Sequence, residues 1–315
     1  MLTHLRGEEK LKWFRDAKLG LFLHVGISAL GKVDIGWSRK THKLPDPDEG
    51  PIPDEVYDGW ANEIKMEDFD ADEWIDLAIS GGFKYVVIIT KHHDGFHMWD
   101  TDYSDYKITN APMARDYIKE LTDACHKKGM PLGKHWAWTG EELKPFKEII
   151  RQFICTVSGD ENYLISIGCM PTGKIAFEES EHIRKLGAFM EKYGSAIYGT
   201  RSGPWNPGDF GGSVYRGDTA YIHIVERPKN GILVFPLKHN KVKEIECITD
   251  DDVRFVIKDN NLVITVPKIE FEDIIVKVQM AHNIQTSIEG ISVENSEVTQ
   301  SHIADIEIVQ IQNKE

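Results

Sequence analysis

Hydrophobic positions in the first two thirds of the chain follow two different periods. Short apolar runs bounded by glycine or polar residues are typical of buried parallel strands, and they occur at residues 19–25, 83–90, 131–138 and 163–167. Amphipathic segments with helical spacing lie between or after them, at residues 72–80, 114–128, 141–157 and 178–193. This alternation predicts repeated strand and helix units around a parallel sheet.

The pattern changes after the Gly- and Pro-rich segment 202–212. Short runs with a period of two residues follow, at residues 220–225, 231–235, 253–257, 262–266, 274–278 and 303–311. We therefore predict two domains, an α/β domain at residues 1–212 and an antiparallel β-sandwich at residues 213–315. The long polar segment 31–68 follows the first strand, where functional loops of such sheets emerge, and is predicted to be a site loop without a core element.

Composition narrows the possible partners. The 315 residues are 41% hydrophobic and carry a net charge of −14, and we find no basic stripe that would attract nucleic acid. No apolar run is long enough to span a membrane, and residues 1–20 lack the features of a secretory signal, so we expect a cytoplasmic protein. The four cysteines have no paired spacing, which predicts buried free thiols. We expect no cofactor.

Candidate functional residues lie at the ends of three predicted strands. The sequence Lys-His-His-Asp-Gly-Phe-His at residues 91–97 follows the second strand and contains His92 and His93. His24 ends the first strand, and His135 and Trp136 end the third. Because carboxyl ends of parallel strands share one rim, these rings are expected to converge. Aromatic faces beside hydrogen-bonding imidazoles suit a sugar. Individually, each histidine is equally consistent with a structural role, whereas a metal site lacks the usual ligand spacing.

Several motifs together resemble the α-L-fucosidases of glycoside hydrolase family 29. They are WFRDAKLGLFLHVG at 13–26, FDADEW at 69–74, KYVV at 84–87 with TKHHDGF at 90–96, NYLISIG at 162–168, and YGTR with GPW at 198–205. The resemblance implies a (β/α)₈-like catalytic domain followed by a β-sandwich, and retaining hydrolysis of fucosylated glycans or simpler α-L-fucosides. It also implies that His24, His92 and His93 bind fucose hydroxyls. Val25 and the sequence His135-Trp136-Ala137 replace family residues of the pocket wall.

The nucleophile that the resemblance implies, an Asp ending a fourth strand, has no counterpart here. Four strand signals also fall short of eight, so we predict an incomplete or shortened barrel. Glu141 and Asp94 are weak substitute candidates, although a helix start and a turn explain them better. The chain is thus either a fucosidase-type hydrolase or an inactive fucose-binding relative. Missing strands leave edges that could pair in a homo-oligomer.

Overall fold

The computed structural model describes residues 8–34, 36–41, 50–130, 132–133, 144–237, 241–249 and 252–284. The chain divides into an α/β unit, Met1–Leu143 with Asn162–Ser195, and a β unit, Lys144–Glu161 with Ala196–Glu315. The observed division therefore differs from a single boundary at residue 212. The reason is a close approach in the β unit, where helix residue Ser158 lies against Gly212, so the helix belongs with the strands that follow it.

In the described residues of the α/β unit, the strands form a parallel sheet with the order β3-β2-β1-β4. Its strands are β1 (Leu19–His24), β2 (Tyr85–Ile88), β3 (Leu132–Gly133) and β4 (Tyr163–Gly168). Its helices are α1 (Glu8–Ala17), α2 (Ser28–Gly31), α3 (Asp54–Gly59), α4 (Ala71–Ser80), α5 (Tyr117–Lys128) and α7 (Phe177–Tyr193), while α6 (Phe146–Ser158) belongs to the β unit. The predicted α/β class is confirmed.

Local sequence signals explain why these elements begin and end where they do. All six residues of β1 are buried, as expected for an uncharged strand covered on both faces. The side chain of Asp70 accepts the Glu73 N–H at the start of α4, and Asp116 does the same for Lys119 in α5. Gly129 ends α5 in the left-handed conformation with φ 70°.

The expectation of a loop without core elements at residues 31–68 is wrong in part. This segment contains α3 and two short 3-10 helices, Gly36–Ser38 and Trp60–Asn62. Tyr57 in α3 is fully buried, because its ring packs beside Trp60 and its hydroxyl meets a buried partner described below. The third predicted strand is seen only as β3, since residues 131 and 134–138 lie outside the described residues.

The described residues of the β unit form two antiparallel sheets with a shared apolar core. Its strands are β5 (Arg201–Ser202), β6 (Gly211–Arg216), β7 (Thr219–Ile224), β8 (Ile232–Pro236), β9 (Val242–Cys247), β10 (Arg254–Lys258), β11 (Asn261–Thr265) and β12 (Ile274–Met280). They form the orders β10-β11-β8 and β5-β6-β7-β12-β9. Alternate residues such as Ile222, Phe235, Ile264 and Val276 face this core. The predicted antiparallel unit is confirmed as far as residue 284, and the strand predicted at 303–311 lies outside the described residues.

The parallel sheet has two edges in the described part of the chain. β3 and β4 occupy opposite ends of the strand order and do not pair with each other. Within the described residues, these two strands therefore do not close a smaller sheet. β4 pairs with β1 through its whole length, from Leu19 opposite Tyr163 to His24 opposite Gly168.

All four cysteines are free, and Cys125 and Cys169 are buried as expected. Cys155 is exposed and Cys247 is half-buried, so the prediction of buried thiols is wrong for Cys155. None of the helices in the described ranges has the length and apolar character needed to cross a bilayer.

Candidate active site

His24 ends the fully buried strand β1 and is itself 2% exposed. Its Nδ1 lies 2.6 Å from Oγ of Ser166, which is on the neighbouring strand β4. The imidazole also packs on the ring of Phe22, with 4.4 Å between the ring centroids. Two adjacent strands therefore fix the position and orientation of this ring at the carboxyl end of the sheet.

The histidine pair lies in a tight turn after β2. Asp94 organises the turn, because its Oδ1 accepts the Phe96 N–H at 2.9 Å. The Gly95 N–H donates to the His92 carbonyl at 3.1 Å, and Gly95 has φ 81°, which glycine adopts without strain. Asp94 is 1% exposed. The turn explains why the chain reverses here, so that His92 and His93 are not held to the alternating faces of a strand.

A buried hydrogen bond connects this turn to α3. The Tyr57 hydroxyl donates to Asp94 Oδ2 at 3.1 Å. Burial, and then the neighbouring Asp94 carboxylate, raise the pKa of Tyr57 far above its ordinary value, so the hydroxyl keeps its proton and remains a donor. Both Asp94 oxygens thus accept hydrogen bonds. Asp94 therefore stabilises the turn through both of its carboxylate oxygens, as expected for a turn residue.

The two histidines of the turn contact the chain that follows β1. The His92 ring lies against Gly26, where an added Cβ would come within 3.2 Å of Cδ2 and 3.5 Å of Nε2. The His93 ring packs on Trp37, with 4.3 Å between centroids. His92 is therefore close to the segment just beyond His24. Whether all three imidazoles line one cavity stays a prediction.

An ion-pair network holds the segment that carries Trp37. Arg39 binds Asp58 through two hydrogen bonds of 2.8 Å and lies 3.1 Å from Asp54. The Tyr106 hydroxyl also donates to Asp58, at 3.1 Å. The Arg39 side chain is only 9% exposed, and its bond to Asp58 raises its pKa, so the guanidinium stays charged. Such a bidentate pair is geometrically restrictive and stabilises the loop beside His93.

Glu179 is a buried carboxyl group at the same end of the sheet, and the sequence analysis missed it. It lies in the first turn of α7 and accepts the backbone N–H groups of Gly168 and Ala176. Gly168 ends β4 opposite His24. Burial raises the pKa of Glu179 to about 7, although these hydrogen bonds oppose the shift. An acidic residue in the first turn of a helix that follows a strand end was the available signal.

The remaining predicted site residues have no structural account. His135, Trp136 and Glu141 lie outside the described residues. Within the described ranges, no group of three or more His, Cys, Asp and Glu side chains could hold a metal ion. A cavity of about 310 Å³ is found between α4 and α7, where it is lined by residues such as Trp74, Leu77 and Arg184 and not by the histidines.

Asp94 and Glu179 follow the two strands that flank β1. Neighbouring strands are about 4.8 Å apart, so the chain positions at the ends of β2 and β4 are separated by roughly 10 Å. The described strand ends and turns therefore carry three imidazoles, an indole and two supporting carboxyl groups. These groups are suited to hydrogen-bonding a neutral polyol, since imidazoles can both donate and accept and the rings offer apolar faces.

The sequence of this chain is similar to those of alpha-L-fucosidases. The family model described as alpha-L-fucosidase matches residues 2–135 and 130–195, two segments that overlap at residues 130–135. Tissue alpha-L-fucosidase of Bos taurus is 33% identical over 129 residues, covering 38% of this chain and 28% of that protein. The chain spans less than a third of the length of the curated relatives it matches.

Comparison with solved structures supports the fold. Alpha-L-fucosidase isoenzyme 1 from Paenibacillus thiaminolyticus has a TM-score of 0.74 at 18% identity, covering 87% of this chain and 99% of that one. A GH29 fucosidase from Bacteroides thetaiotaomicron, trapped as a covalent intermediate, has a TM-score of 0.73 at 17% identity and covers 87% and 97%. At these low identities, the TM-scores show similarity of fold alone. Because the family model matches more than half of the residues, the chain belongs to the alpha-L-fucosidase family.

Proposed function

We propose that this chain recognises α-L-fucosides, including fucosylated glycans, at the rim formed after β1 and β2, and that it hydrolyses them slowly. The arrangement of His24 and His92 carries the proposal. Ser166 and Phe22 orient the His24 ring, and the His92 ring lies against Gly26, two residues further along the chain. Rings fixed in this way can offer directional hydrogen bonds to sugar hydroxyls without a large entropic cost on binding.

His93 and Trp37 complete the proposed recognition surface. Their rings pack together, and the Arg39 network holds the loop that carries Trp37. An indole face can contact the C–H groups of a pyranose, while the imidazole edge contacts its hydroxyls. We propose fucose as the sugar because the chain belongs to the alpha-L-fucosidase family. Recognition of a polyol by these groups alone would not distinguish one sugar from another.

Slow hydrolysis follows from the roles of the described carboxyl groups. A retaining glycosidase places a nucleophilic carboxylate and an acid/base roughly 5–5.5 Å apart on either side of the scissile bond. Asp94 is buried and both its oxygens accept hydrogen bonds. Glu179 is bound to backbone N–H groups. Neither is presented as a nucleophile, and we propose that the barrel is incomplete at the strands that would provide one.

Efficient hydrolysis by displaced acids is the second candidate, and Glu179 is the observation that favours it. A carboxyl group with a pKa of about 7 can act as a general acid near neutral pH. This candidate also requires a nucleophile, for which Glu141 is the sequence-predicted option.

Two measurements on the same preparation test the proposal. L-fucose binding is measured by calorimetry, with D-fucose as the enantiomeric control, and turnover is measured with an aryl α-L-fucoside. We expect L-fucose binding that is weakened by His92→Ala and His93→Ala but not by His126→Ala, a control on the exposed end of α5. We expect little turnover in any variant.

Each outcome has a defined meaning. Absence of L-fucose binding, or equal binding of both enantiomers, would contradict the recognition proposal. Rapid turnover that is abolished by Glu141→Gln, Asp94→Asn or Glu179→Gln would instead establish the second candidate and identify the carboxyl group responsible.

A further inference from the structure

The edge strand β4 exposes backbone groups that a closed barrel would pair. The Tyr163 N–H donates to the Lys18 carbonyl of the β1 side at 2.8 Å. Along a parallel strand, the backbone N–H and C=O groups of alternate residues bond to the same neighbouring strand. The backbone groups of Tyr163, Ile165 and Ile167 therefore point toward β1. The N–H and C=O groups of Leu164 and Ser166 consequently point away from β1, and both residues are exposed. In the described ranges, no other strand pairs with this side of β4.

β4 also differs in composition from the edge strands that the structure describes in the β unit. Exposed edges are usually protected by charged residues or proline. β9 contains Lys243 and two glutamates, β10 contains Arg254 and Lys258, β5 begins at Arg201, and β8 ends at Pro236. β4 has the sequence YLISIG, which contains no charge, no proline and one terminal glycine. β3 also lacks such protection but has only two residues, so β4 is the longest unprotected edge in the described ranges.

We propose that β4 pairs with β4 of a second copy of this chain, antiparallel and around a two-fold axis. This inference is independent of the fucoside proposal. A strand edge can meet its own copy with closed symmetry only in the antiparallel direction. In the register that uses both outward-facing residues, Leu164 lies opposite Ser166 of the second copy, and the reverse pair is equivalent. Each pair exchanges two backbone hydrogen bonds, and the axis passes through Ile165.

Neighbouring groups are compatible with this register. Glu179 accepts the Gly168 N–H, so the pairing between the copies is limited to Leu164 and Ser166 and does not extend to Gly168. In this register, Asp160 and Glu161 lie opposite Met170 and Cys169, so the acids that precede β4 do not face each other. This matters in a chain with a net charge of −14, where like charges directly opposite would oppose association. The exposed side chain of Leu164, at 37%, adds apolar area to the contact.

Sedimentation equilibrium over a wide range of protein concentration tests the proposal. We expect a reversible dimer that Leu164→Lys weakens at least tenfold, because the substitution places a charge at the pairing edge. Ile79→Lys is the matched control, since Ile79 is an exposed isoleucine on α4 in the same unit. A monomer at every concentration, or a dimer weakened equally by both substitutions, would overturn the proposal.

Cysteine cross-linking tests the register. Ile165→Cys, in a Cys155→Ser background that removes the exposed native thiol, places the two new thiols opposite each other at the axis. Such non-hydrogen-bonded pairs have Cβ atoms about 4.5–5.5 Å apart, so mild oxidation should give a disulfide-linked dimer. Ile79→Cys in the same background is the control. Equal cross-linking of both variants, with circular dichroism showing that both are folded, would contradict the proposed pairing.

Discussion

The bond between Tyr57 and Asp94 provides the sharpest test of how the histidine turn is held. Tyr57→Phe removes only the hydroxyl that donates to Asp94 Oδ2 at 3.1 Å. Tyr57 is fully buried and Asp94 is 1% exposed, so water cannot readily replace the lost donor. Hydrogen bonds to charged groups contribute about 1.5–3 kcal/mol. We therefore expect the free energy of unfolding of the α/β unit to fall by this amount.

Tyr106→Phe is the matched control for this prediction. The Tyr106 hydroxyl also donates to an aspartate at 3.1 Å, but the acceptor is Asp58, whose side chain is 39% exposed and remains bound to Arg39. Water can replace this donor, so we expect a loss below about 1 kcal/mol. The two variants therefore make the same chemical change at the same distance and differ in the burial of the acceptor.

Scanning calorimetry measures both effects. For a unit of this size, 1 kcal/mol corresponds to about 2–4 °C, so Tyr57→Phe should lower the melting temperature of the α/β transition by roughly 3–12 °C. L-fucose affinity should fall with it, because Asp94 supports the turn that carries His92 and His93. Equal shifts for the two variants would refute the reasoning that burial of Asp94 makes this bond important.

Three further predictions concern other buried groups. The pKa of Glu179 is raised to about 7, above its ordinary value of 4.5, so the folded protein binds more protons than the unfolded chain between these pH values. The free energy of unfolding should therefore fall by up to about 3 kcal/mol as the pH rises from about 4.5 to 7. Glu179→Gln should remove this pH dependence when unfolding by urea is measured at several pH values. In the β unit, His223 Nδ1 lies 2.7 Å from Asp273 Oδ2, and both side chains are fully buried. Asp273→Asn should therefore destabilise that unit by about 3–5 kcal/mol. In the same melting experiment, Glu246→Gln, which alters the more exposed pair with Lys277, should cost less than about 1 kcal/mol. A thiol reagent should label Cys155 first in the native protein, because Cys155 is exposed whereas Cys125 and Cys169 are buried. Rapid labelling that persists in Cys155→Ser would contradict this.

Elements specified by short-range pattern could be predicted from the sequence. The apolar runs predict β1 and β4, and the amphipathic segments predict the helices capped by Asp70 and Asp116. The predicted bounds lie within a few residues of the observed ones. The reason is local, since hydrophobic period, N-cap hydrogen bonds and a left-handed glycine at a helix end each depend on neighbours in the chain. The motifs at 13–26 and 84–96 likewise indicate the family without any knowledge of the fold.

Partners distant in the chain were decided only by the tertiary structure. Asp94 is buried because Tyr57, 37 residues earlier, meets it, and this contact turned part of a predicted loop into core. Glu179 became a buried carboxyl with a raised pKa because α7 brings it to the end of β4. Helix α6 joined the β unit through the approach of Ser158 to Gly212. These outcomes depend on which surfaces meet after folding, whereas periodicity records only that a surface is apolar.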